Sequence, residues 1–145
     1  MSGSTLVSTV AVTVACGVIV VWAVALIVTD IRSRRLPNVL VVPVAAGAVM
    51  AAILLNPWAL VGLVWAVVYA VVPGIGGGDV KLATALGIAT WWVSPYATIV
   101  AIGLAGALSV GAALLVRQHT VPHGPAMLVA AAASVALFML TGWAG

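Results

Sequence analysis

The chain has 145 residues, of which 66% are hydrophobic and 5% charged, with a formal net charge of +3 at pH 7 and a mean hydropathy of +1.37. So few polar side chains cannot cover a water-soluble domain of this size, and the class that remains is one all-α, polytopic integral membrane domain over residues 1–145. The five basic residues are too few and too dispersed for nucleic acid, and with Cys16 as the single cysteine neither an intramolecular disulfide nor a cysteine-based zinc site is possible.

The first predicted span runs from Leu6 to Thr29. It follows SGSTLVST, which lacks the basic residues that open a cleaved signal peptide, so the segment is expected to be retained. The second span is Val39 to Leu55, broken by Asn56-Pro57. The third runs from Trp58 to about Val72, where Pro73 and a glycine run stop it. The fourth is Val80 to Val93, ended by Ser94-Pro95. The fifth is Tyr96 to Val116, and the sixth runs from Pro125 to about Trp143. About six transmembrane helices are expected, the second and fourth somewhat short of the length that crosses the hydrocarbon. Gly103, Gly106, Ala107 and Gly111 in the fifth are expected to allow close helix approach.

With six spans, all five basic residues fall at one side. Arg32, Arg34 and Arg35 follow the first span, Lys81 follows the third, and Arg117 follows the fifth. The positive-inside rule assigns that side to the cytoplasm, with both termini across the cytoplasmic membrane. Trp58, Trp91, Trp92, Trp143 and Tyr96 gather at the opposite ends, as interfacial anchors do, whereas Trp22 and Trp65 lie deeper, as packing residues.

The only acidic residues are Asp30, in TDIRSRRLPN, and Asp79, in GIGGGDVKL. Both fall on the basic side. A carboxylate at the hydrocarbon boundary is costly and points to function. For Asp30 the alternative is an interfacial pairing with Arg32, Arg34 or Arg35. For Asp79 it is an N-cap on the fourth span, with the preceding glycines leaving room for substrate or backbone. Helix ends make Asp79 the expected more acidic member, near free N–H groups, and Asp30 the one harder to ionise, at a helix C-terminus. Two carboxylates held together share one proton and titrate as a pair. Aspartic proteases use such a pair to activate water against a peptide carbonyl. A fourth span of fourteen residues would rise only about 21 Å, which would set Asp79 below the membrane surface.

These segments resemble the type IV prepilin peptidases. TDIRSRRLPN is similar to the family's first segment, with Asp30 at a span end, then Arg34, Arg35, Pro37 and Asn38. GGGDVKL is similar to the second, with Gly76, Gly78, Asp79 and Lys81. VPHGPAM is similar to a late segment, with Pro122, Gly124 and Pro125. The resemblance implies that Asp30 and Asp79 are the catalytic pair and that the other residues support the site or the substrate. It implies a prepilin or pseudopilin precursor as partner, cut after a short basic leader at the cytoplasmic face, beside its hydrophobic helix. The GxGD segment also recurs in presenilin-like proteases, but DIRSRRLPN points away from them. The chain lacks the Cys-x-x-Cys loop of larger members that also methylate. It is most similar to the compact, peptidase-only form of tight-adherence pilus systems. His123 stands where relatives commonly carry an aromatic residue.

Lys81 either orients substrate, tunes Asp79 or serves topology. Arg117 reads as an inside anchor, and the Arg32, Arg34, Arg35 cluster as a contact to lipid headgroups. Pro37 starts the second span and Asn38 is its candidate cap. His119 and His123 flank a proline, with no third ligand nearby, so no metal or other cofactor is expected. Two other functions compete with the peptidase. A proton-coupled carrier would also hold buried carboxylates, although both lie at one side here. A non-catalytic partner in pilus or secretion assembly is the other. The oligomeric state is open.

Overall fold

The computed structural model describes residues 3–117 and 121–142. It is all-helical, with no strand among the described residues. The elements are α1 (Gly3–Ser33), α2 (Asn38–Leu55), a 3-10 segment (Pro57–Leu63), α3 (Val64–Val71), α4 (Gly77–Val93), α5 (Pro95–Val116) and α6 (His123–Thr141). Val7–Ser33 of α1, and the whole of α2, α5 and α6, are long and apolar enough to cross a membrane. This is a polytopic membrane protein. Of the six expected spans, the third and fourth are the short ones.

The third span is not one helix. Pro57 opens it, and the first seven residues wind as 3-10 before eight residues of α3. The two pieces together rise about 26 Å. The tighter winding lies where the backbone meets α4 most closely: a Cβ on Gly62 would run into the Gly87 carbonyl, and a Cβ on Gly87 into the Gly62 carbonyl. Glycines do allow close approach here, whereas in α5 Gly103, Gly106 and Ala107, expected to do so, are exposed. Gly103, Gly106 and Gly111 have nothing within 4 Å of an added Cβ. The buried residues of α5 are instead Ala97, Thr98, Ala101, Ala105 and Ser109.

The fourth span begins at Gly77, three residues before the expected Val80. Gly77 and Gly78 form the helix's first turn, and Gly78 lies against Leu36, where a Cβ would come within 2.8 Å of the Leu36 Cβ. With 17 residues, α4 rises about 26 Å, still less than the hydrocarbon thickness of about 30 Å, and the added turn precedes Val80 without lengthening the stretch beyond Asp79. The same correction moves Asp79 off the N-cap, which is Gly76, to the third helical position.

α4 is the axle of the bundle. It packs on α2, the 3-10 segment, α3, α5 and α6. The main core joins Leu26, Val41, Trp65, Leu82 and Met127, and a smaller cluster of Ala52, Ala59 and Ile88 lies under Trp91. Thr90 Oγ1 shares a 2.9 Å hydrogen bond with Thr98 Oγ1, tying α4 to α5 by the kind of polar contact that holds helices in lipid. Trp65 is fully buried and Trp22 donates to the Leu40 carbonyl at 2.9 Å, so both are packing residues. Trp58, Trp92 and Tyr96 are exposed, but Trp91 is half-buried as part of the second cluster. Trp143 and His119 lie outside the described residues.

Candidate active site

One end of the bundle collects the end of α1 and the starts of α2, α4 and α6. Asp30 sits in the last turn of α1, 4% exposed. After it, Arg34 donates its N–H to the Asp30 carbonyl at 2.8 Å and takes a left-handed conformation with φ 50°. That residue ends the helix as a left-handed cap does and turns the chain toward Leu36 and α2.

The Asp30 carboxylate is not left against the unfavourable end of its own helix. Its Oδ2 accepts the Gly124 N–H at 2.9 Å. Gly124 is in the first turn of α6, where amides have no partner within the helix and the dipole favours negative charge. The expected contrast, with Asp79 alone enjoying a helix N-terminus, therefore does not hold. Asp30 has one too, supplied by another helix. The fit is close: a Cβ on Gly124 would come within 2.8 Å of Asp30 Oδ2 and 3.3 Å of Leu36 Cδ2.

Asp79 interacts with the backbone N–H of Gly76. A side chain at the third helical position reaching back to the N-cap amide is one half of a capping box. Asp79 lies within electrostatic reach of Asp30 and His123, and Asp30 within reach of His123. Both aspartates line one cavity of about 730 Å³. Gly76, Arg34, Pro122 and His123 line it as well. His123 is held by Ser109 of α5, with Nδ1 and Oγ 3.0 Å apart.

The remaining sequence candidates act beside the cavity. Lys81 Nζ donates to Asn38 Oδ1 at 2.7 Å, joining the start of α4 to the start of α2. Asn38 is therefore not a cap; Pro37 occupies that position and makes no side-chain cap bond. Gly78 packs on Leu36, and Pro125 follows Gly124 in the first turn of α6, where its missing N–H has no helical partner to lose. Three residues, Leu36, Ser109 and Tyr69, escaped the sequence reading. Leu36 is buried against both Gly78 and Gly124. Ser109 holds His123, Tyr69 lines the cavity, and Trp65 stacks edge-on to Tyr69 with centroids 6.2 Å apart.

Two carboxylates facing one cavity in an apolar bundle can exchange a shared proton with a water and a polarised carbonyl. The model of the type IV leader peptidase family matches residues 17–111. The match includes both aspartates and stops before α6. No curated protein and no solved structure matches the chain.

Proposed function

From the premise that this chain belongs to the type IV leader peptidase family, and is thus a protease of the membrane, we propose that it is an aspartic endopeptidase removing the basic leader from type IV prepilin or pseudopilin precursors. The observation that carries this reading is the single cavity lined by both acidic residues of the chain. Asp30 and Asp79 hold one proton between them. One accepts a proton from the attacking water, and the other donates toward the carbonyl oxygen of the scissile bond. Gly124 and Gly76 orient the two carboxylates through their amides. Lys81 and Asn38 fix the spacing of α4 and α2 around them. The site faces the cytoplasm, as the basic residues at this end favour, and the protein resides in the cytoplasmic membrane. The step needs no metal.

The test is cleavage of a co-expressed precursor, read as a shift from precursor to mature pilin on a gel, repeated with purified protein in liposomes. Asp30→Asn and Asp79→Asn should each abolish cleavage while the protein stays folded in the membrane. Asparagine keeps the size but cannot exchange a proton. The double variant should be little worse than either single one, because the two act as a unit. The rate should fall on both sides of an optimum, where the pair holds two protons or none. Chelators should change nothing. Normal cleavage by a well-expressed Asp79→Asn protein removes the aspartic mechanism, and no cleavage by the purified wild type favours the carrier or assembly-partner readings.

A further inference from the structure

The cavity has two walls with different owners. Val68 and Tyr69 come from α3 and Val72 follows it directly, and Ile102, Gly106 and Val110 come from α5. α3 packs on α4 and the 3-10 segment, α5 packs on α4 and α6, and the cavity lies between α3 and α5. The cavity therefore continues into a gap between two apolar helices that share α4 as a neighbour. The six wall residues carry no charge. Val72 is 44% and Val110 60% exposed. An added Cβ on Gly106 would meet nothing within 4 Å, so this wall has room at its middle.

A peptide whose scissile bond lies at the carboxylates must leave the cavity on both sides. Toward the polar end it meets Arg34 and the Gly74–Gly76 turn. On the other side it meets the α3–α5 walls at hydrocarbon depth. Backbone amides there must be satisfied within their own segment, and side chains must match apolar walls. The matching occupant is a helical, apolar stretch.

We propose that the gap between α3 and α5 is a docking cleft that admits an apolar helical segment of the substrate sideways from the bilayer, with the scissile bond at that segment's end. This rests on Asp30 and Asp79 being the cleavage pair. A second apolar groove, between α1 and α2, is lined by Val14, Gly17, Val18 and Leu40 and contains neither carboxylate. It supplies the control, since Gly17 is as open to a larger side chain as Gly106.

The experiment compares two probes in nanodiscs. One is a peptide with a basic leader, a glycine and an apolar stretch of about 20 residues. The other stops a few residues after the glycine. Gly106→Leu should lower kcat/KM for the long peptide by about tenfold or more, mainly through KM, and lower that for the short one much less. Gly17→Leu should spare the difference between the two. Equal losses for both peptides, no loss for the long one, or a selective loss from Gly17→Leu would each overturn the cleft. A photoreactive residue at position 106 in Asp30→Asn protein gives a readout without cleavage. It should crosslink to the apolar stretch of the long peptide, and crosslinks to lipid alone would sink the proposal. A crosslink in a protein whose wild type never cleaves would reject the peptidase and keep the cleft. Cleavage without the crosslink would do the reverse.

Discussion

α1 and α4 are both apolar helices that carry one aspartate, yet they live in different surroundings. Every residue of α1 from 7 to 21 is exposed, and its packing begins near Trp22 and Leu26. In α4, from Gly78 to Trp91, only Ala89 is exposed. The exposed helix is the more apolar of the two. They differ also in side-chain size. The exposed part of α1 is rich in valine, whose branched side chains suit contact with lipid. The buried face of α4 carries Ala83, Ala85, Gly87 and Thr90, which let neighbours come near. In a membrane, burial follows small residues and polar contacts rather than apolarity, because lipid is as apolar as leucine.

The largest test of that contrast is Gly87→Leu. Its added side chain has no space against the Gly62 backbone, where the atoms that must move are main chain. The overpacking should destabilise the bundle by about 3 kcal/mol or more, measured as loss of the folded species in a detergent-unfolding titration. The next effect concerns the site. Gly124→Ala puts a methyl against Asp30 Oδ2. Asp30 should move by several tenths of an ångström, and cleavage should fall by about 10- to 100-fold with little loss of thermal stability. Lys81→Ala removes the bond to Asn38 between α4 and α2. A loss of about two- to tenfold in cleavage is expected, with Asn38→Ala giving a similar loss and the double variant no more than either. The smallest effect belongs to the exposed helix. Val14→Leu and Val18→Leu should shift stability by no more than about 0.5 kcal/mol. A large loss from either would mean that α1 is covered by something other than lipid.

The aspartates were legible because a carboxylate is conspicuous among apolar residues. The glycines beside them could also be read, since each is part of a polar, irregular stretch. Leu36 could not be: one leucine among many carries no mark of the two glycines it touches. The close approach of the 3-10 segment to α4 was hidden for a related reason, since Gly62 meets Gly87 of a different helix. Asn38 was read as a cap because the sequence shows only its neighbours along the chain. Its true partner, Lys81, lies 43 residues away. Local chemistry was readable, whereas contacts made across helices needed the fold.

The bond from Gly124 to Asp30 joins residues 94 positions apart. A ribosome adding about 5–20 residues each second makes Gly124 roughly 5–20 seconds after Asp30. During that interval the nascent chain already holds both aspartates' helices, but Asp30 has no amide to orient it. The Asp30 carboxylate gains its orienting amide only when the final helix is in place, so a chain interrupted before α6 carries both acids without that bond.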